Sequence, residues 1–155
     1  MPDTFIRNKP LQVLKLTAVI GALAFAVASL VGIVPSRGLN GLLYLAFFPF
    51  LLAVIVGIEG LLAGYRLGRI EDPVARLTAR RKYTAIRATE LTVVIGTPAI
   101  FYVLIVQIGG ETAGPVAIGL LFIGFGLAVL AYAAVLLRTL TEFYYYHKQS
   151  SSSVS

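Results

Sequence analysis

The sequence predicts an all-α membrane protein with four transmembrane helices, arranged as two antiparallel hairpins with both termini in the cytoplasm. Two observations predict this class. Hydrophobic residues make up 58% of the 155-residue chain and charged residues only 13%, whereas a soluble domain carries roughly 25% charged residues. The charged residues also leave four uninterrupted apolar stretches, which are residues 16–36, 38–58, 91–110 and 112–137.

Each apolar stretch is long enough for one helix to cross a bilayer, because a hydrocarbon core of about 30 Å needs roughly 20 residues. A helix is expected because a backbone in lipid must satisfy its own hydrogen bonds. The stretches also lack the alternation of barrel strands. We therefore predict one membrane domain over residues 1–155, with helices at about 13–34, 39–68, 87–108 and 114–146.

The connections complete the prediction. A basic loop is expected at about 69–86, and a disordered Ser-rich tail at 149–155. The first helix also resembles a signal peptide, since it has a basic start, an apolar middle and the small residues Ala26 and Ala28. Cleavage there would leave three helices. The apolar stretch continues to Val34, which favours a retained membrane helix.

The distribution of Lys and Arg predicts the orientation. All but one of the 13 Lys and Arg residues lie at the N-terminus, in the central loop or near the C-terminus, and the exception is Arg37. Lys and Arg accumulate in cytoplasmic segments of membrane proteins. We therefore expect these three segments to be cytoplasmic, in a multi-pass protein of a cell membrane or a virion membrane.

The composition argues against most chemistry. The chain has no Cys, and its one His is His147 in the C-terminal segment, so disulfides, thiolate catalysis and bis-His haem ligation are excluded. No phosphate-binding loop or nucleic-acid-binding motif is present. We expect no enzyme activity, no metal, no cofactor and no nucleic-acid partner.

Glu59 and Glu90 are the candidate functional residues, because ionisable groups inside membrane segments are costly and often mark sites. Helical rise places both near the cytoplasmic boundary. In one interpretation they belong to a ring of ion pairs that fixes helix register, with Glu90 beside Arg87 and Glu59 beside a cation two turns later. In the other, they bind a proton or a cation. The cations of the predicted ring are Lys15, Arg66, Arg87 and Arg138.

Two further patterns concern helix packing. The second helix carries a stripe of small residues, which lets another helix approach closely. The stripe consists of Gly57, Gly60, Gly64 and Gly68. Pro49 and Pro98 lie inside the second and third helices, where each frees one carbonyl and predicts a kink. Such kinks could open a pocket, act as a hinge or serve packing alone.

The central basic loop has a lipid interpretation. Cations next to a membrane attract anionic headgroups, at about 1 kcal/mol each. The candidate headgroup ligands are Arg76, Arg80, Arg81 and Lys82. The same charges would also enforce topology without binding any particular lipid.

These observations predict a non-enzymatic structural or accessory membrane protein that assembles with other subunits or with copies of itself. The alternative is a small transporter or channel component that uses Glu59 and Glu90. A third, weaker possibility is a lipid-binding or virion-membrane protein built on the basic loop.

Overall fold

The computed structural model describes residues 9–33, 40–79, 81–108 and 114–152, and this part of the chain is helical apart from short turns. It contains five helices, listed here in chain order. They are α1 (Lys9–Leu30), α2 (Asn40–Leu67), α3 (Pro73–Ala79), α4 (Arg81–Ile108) and α5 (Pro115–Ser152). By length and composition, α1, α2, α4 and α5 could each cross a membrane. The all-α class and the four apolar helices agree with the sequence prediction.

The first helix ends earlier than predicted because of a glycine. Gly32 has a φ of 79°, a conformation that L side chains rarely adopt. The amides of Gly32 and Ile33 donate to the carbonyls of Ser29 and Ala28, at 3.3 and 2.9 Å. This is the Schellman arrangement that closes a helix C-terminus. Helix α1 therefore stops at Leu30, not at residue 34.

The segment predicted as a basic loop at 69–86 contains α3 and the first turns of α4. The Asp72 carboxylate accepts a hydrogen bond from the Ala75 amide at 3.0 Å, and Pro73 occupies the first helical position. An Asp cap followed by Pro is a strong helix start. The chain from Arg81 onward contains no Gly or Pro before Gly96, so α4 begins six residues before the predicted start.

Helix α5 continues through Ser152, into the segment predicted as a disordered Ser-rich tail. No Gly or Pro follows Gly126 in this helix. Extending an existing helix needs only one residue to be fixed per new hydrogen bond, so nothing in the sequence stops it. Residues 153–155 lie outside the described residues.

The four long helices share one apolar core. Helix α2 packs against each of the other three, and α4 packs most extensively on α5. Contacts run in opposite order along α2 and α4: the Phe47 ring lies 5.9 Å from that of Phe101, while Gly60 faces Leu91. The buried residues of the core are Val19, Ala22, Ala26, Leu45, Leu52, Val56, Val94, Ala128, Ala131, Tyr132 and Val135.

The long helices carry large apolar side chains on the outside of the bundle, while some charged side chains lie inside it. Large exposed hydrophobic residues occur on all four long helices, and seven polar or charged residues of the described part of the chain are buried. Large exposed apolar surfaces are unusual on soluble monomers. This distribution suits a lipid environment, in which polar groups face the bundle interior.

Candidate functional site: a buried ionic network

Six charged side chains from the four long helices meet in the bundle interior, with between 1 and 7% of each residue exposed. Three are cations and three are anions, so their formal charges sum to zero. We call this set the ionic network. Its members are Lys15, Glu59, Arg87, Glu90, Arg138 and Glu142.

Lys15 joins three helices. Its Nζ lies 2.6 Å from Oε2 of Glu59 and 2.7 Å from Oε1 of Glu90, and it donates a hydrogen bond to Glu90. The two glutamates, from α2 and α4, therefore converge on one ammonium group from α1. Neither carboxylate could move far without losing this contact.

The two arginines complete the pairing of both glutamates. Arg87 pairs with Glu90 one turn away on α4, and its Nη2 lies 2.6 Å from Oε1 of Glu59. Arg138 on α5 contacts Glu59 at 3.2 Å, Glu90 at 3.3 Å and Glu142 at 2.9 Å. Each of Glu59 and Glu90 thus contacts three cations.

Both carboxylate oxygens of Glu59 lie close to cations: Oε2 is 2.6 Å from Lys15 Nζ and Oε1 is 2.6 Å from Arg87 Nη2. The attraction between opposite charges is strong in a low-dielectric interior, where an uncompensated charge is correspondingly costly.

Glu142 extends the network to two polar side chains at its edge. It accepts hydrogen bonds from Gln12 on α1 and from the Tyr83 hydroxyl on α4. These three residues were missed from the sequence. A signal was available for Glu142, since it stands four residues after Arg138, the spacing of a helical ion pair. For Gln12 and Tyr83 the sequence offers no comparable signal.

The structure brings together five of the residues named from the sequence, which are Lys15, Glu59, Arg87, Glu90 and Arg138. Arg66 is different, since it is exposed near the end of α2. Seven residues of helix separate it from Glu59 by roughly 10 Å along the axis. The cations that contact Glu59 belong to α1, α4 and α5, and the place of Arg66 in the ring stays a prediction.

The small-residue stripe contacts another helix at one of its four positions. A Cβ added to Gly60 would lie 2.7 Å from Leu91 of α4, whereas Gly57 and Gly64 have open space beside them and Gly68 faces only its own helix. Packing of this stripe against another subunit stays a prediction. A closer contact between helices involves a glycine outside this stripe, which the sequence prediction did not include. A Cβ added to Gly124 of α5 would lie 2.5 Å from the Phe101 ring of α4.

The prolines lie inside α2 and α4, and both are buried. Pro49 cannot donate to the carbonyl of Leu45, which is therefore free. The buried Tyr132 hydroxyl of α5 donates to that carbonyl at 3.0 Å. This bond satisfies the freed group and ties α5 to α2. The proposed kinks and their roles stay predictions.

The candidate lipid ligands lie at the start of α4 and just before it. Arg81 and Lys82 are exposed. The side chains of Arg76 and Arg80 lie outside the described residues.

The fold and the network together define a class, a bundle of four potential membrane spans held by compensated internal charges. Comparison of the chain with protein-family models, curated proteins and solved structures finds no match.

Proposed function

We propose that this protein is a non-enzymatic structural or accessory component of a membrane, assembling with other subunits or with copies of itself. In this proposal α1 with α2 and α4 with α5 form two transmembrane hairpins, and both termini are cytoplasmic. The support for the orientation is the concentration of Lys and Arg at one end of the spans.

The observation that carries the proposal is the saturation of the buried carboxylates. Glu59 and Glu90 each contact the same three cations. A carboxylate that binds a transported ion must release its partner and accept another. Here an incoming cation would have to displace Lys or Arg side chains that are fixed by the packing of three helices, so a structural role is favoured.

The network is also built from units that are locally neutral. Helix α4 carries Arg87 and Glu90 one turn apart, and α5 carries Arg138 and Glu142 one turn apart. Helices α1 and α2 share their charges between them, through Lys15 and Glu59. Charges that are paired within each unit lower the cost of inserting them into lipid. Contacts between the units then fix the rotation and register of all four helices.

A small transporter or channel component is the competing proposal. It is supported by the convergence of Glu59 and Glu90 on one ammonium group, since a proton or cation could replace Lys15 there. The two proposals differ in what neutralising a carboxylate should do. A structural network should lose stability or assembly, whereas a transport site should lose activity in a protein that stays folded.

The experiment compares Glu59→Gln and Glu90→Gln with Arg66→Gln, which removes an exposed charge from the same end of the bundle. The readouts are helix content and monodispersity in mild detergent, recovery of co-purifying subunits, and proton or cation flux in proteoliposomes. The structural proposal expects both Glu variants to lose monodispersity or partners while Arg66→Gln keeps them. Folded Glu variants that lose a wild-type flux would establish the transporter instead.

A further inference from the structure

One face of α2 and the turn after it changes from apolar to aromatic to cationic. Leu61, Tyr65 and Arg69 are spaced four residues apart, so they lie on one side of the helix with about 6 Å between successive levels. The turn continues past Leu67, because the Arg69 amide donates to the Arg66 carbonyl at 3.2 Å. Leu61 is 76% exposed and Tyr65 is 61% exposed.

Arg69 is held in place by this face. Its guanidinium carbon lies 4.5 Å from the centre of the Tyr65 ring, and its Nη2 donates a hydrogen bond to the Tyr65 hydroxyl. A guanidinium stacked on an aromatic ring keeps further N–H groups for an anion. Tyr prefers the membrane–water interface, with its ring in lipid and its hydroxyl among headgroups.

The first turn of α4 lies at the same level. Glu59 of α2 and Glu90 of α4 meet at the ionic network. The C-terminal end of α2 lies about 12 Å from Glu59, and the N-terminal end of α4 at Arg81 lies about 13 Å from Glu90. Because α2 and α4 run in opposite directions, these two ends lie on the same side of the network. Arg81 and Lys82, both exposed, therefore share a level with Arg69.

These cations are not explained by the stability of the fold. The ionic network is neutral by itself, so the charge of +6 lies entirely outside it. Cations at the start of a helix are disfavoured by the helix dipole, and the first turn of α4 carries no acidic residue. The sequence from Arg66 to Lys82 holds six Lys or Arg residues against two acidic residues, and one of those acids, Asp72, caps α3.

We propose that Leu61, Tyr65 and Arg69, together with Arg81 and Lys82, bind an anionic phospholipid. An acyl chain lies along Leu61, the glycerol region lies beside Tyr65, and the cations hold the phosphate headgroup. The apolar part of this face, at Leu61, favours a lipid over a soluble polyanion. A nucleic acid or a free phosphate has no apolar chain that would pack against Leu61.

The test uses the full-length protein in nanodiscs of phosphatidylcholine and phosphatidylglycerol, with lipids retained after mild detergent extraction counted by native mass spectrometry. Arg69→Gln should lower the preference for phosphatidylglycerol about fivefold, which corresponds to about 1 kcal/mol per cation near the surface. Arg37→Gln is the matched control, since it removes the same formal charge from the connection between the first two spans. It should leave the preference unchanged.

A second pair of variants keeps the test decisive. Glu71→Gln removes a negative charge from the same segment and should raise the preference for phosphatidylglycerol. Arg69→Lys keeps the charge and should keep most of the preference, so it separates loss of binding from loss of folding. An equal drop in Arg69→Gln and Arg37→Gln would show a net-charge effect and overturn the site. An unchanged preference in a folded Arg69→Gln protein would overturn it as well.

Discussion

Removing a matched pair of opposite charges from the ionic network should destabilise the bundle by less than the sum of the two single removals. The pair best suited to this comparison is Lys15 and Glu59, which lie 2.6 Å apart on different helices. The variants are Lys15→Met, Glu59→Gln and the double variant. Met approximates the length of the Lys stem, and Gln keeps the shape of Glu, so packing changes little while charge changes by one.

The expected magnitude follows from the contacts. Breaking a buried ion pair by removing one partner costs about 3–5 kcal/mol, because the other charge is left uncompensated. Glu59→Gln leaves three cations facing two anions, and Lys15→Met leaves the reverse. The double variant restores a neutral network. We therefore expect its cost to be smaller than the sum of the single costs by about 1–3 kcal/mol, which is the range of coupling between residues in contact.

The assay is unfolding in mixed micelles with increasing dodecyl sulfate, followed by circular dichroism at the helix minimum. The chain contains no Trp, so helix content is a more direct signal than fluorescence. Arg66→Gln serves as the control for charge loss, since the contacts of an exposed charge contribute only about 0–1 kcal/mol to the free energy of unfolding.

Two results would refute the reasoning about compensated charge. Additive costs for Lys15→Met and Glu59→Gln would show that the two groups do not interact in the folded protein. Costs near that of Arg66→Gln would show that water reaches the network and screens it, because pairs exposed to solvent contribute only about 0–1 kcal/mol.

The other predictions concern topology and packing. The chain has no Cys, so a cysteine at Thr112 should react with an impermeant thiol reagent outside intact cells, and one at Thr78 only after lysis; external labelling of Thr78 would reverse the orientation. Gly124→Ala should be less stable than Gly126→Ala by about 1–3 kcal/mol, because its Cβ meets an aromatic ring and the control's does not; equal stability would contradict the close approach. Tyr132→Phe should cost about 1–3 kcal/mol in unfolding free energy, because it leaves a carbonyl freed by proline without its buried donor, and an unchanged value would mean that the bond contributes nothing.

The convergence of the charges could be foreseen because it depends on depth alone. Counting residues from the ends of each apolar stretch places Lys15, Glu59, Glu90 and Arg138 at a similar level, since every residue of a helix adds the same rise. The partners of each charge could not be foreseen, because they depend on how each helix is rotated about its axis. The cations that contact Glu59 come from α1, α4 and α5, and no count of residues along α2 identifies them.

One local signal in the sequence points to a helix that the prediction did not include. Asp72 followed by Pro73 is a helix start, and it begins α3 inside the segment predicted as the basic loop. The close approach of Gly124 to Phe101 is of another kind. A single glycine among many in apolar helices becomes informative only when the facing residue of another helix is known, and no spacing rule within one helix supplies that.

The charges of this chain fall into two sets that should respond independently to mutation. The buried set is neutral and joins four helices. Losing Glu59 should therefore lower the stability of the bundle, and the protein that stays folded should keep its preference for anionic lipid. The exposed set is cationic, and Arg69 lies about 15 Å from Glu59 along the direction of α2, beyond the screening length of about 8 Å at physiological salt. Losing Arg69 should therefore change lipid preference at unchanged stability. A variant of either set that altered both properties would mean that the two sets are one electrostatic unit, and the separate proposals for structure and for lipid binding would have to be merged.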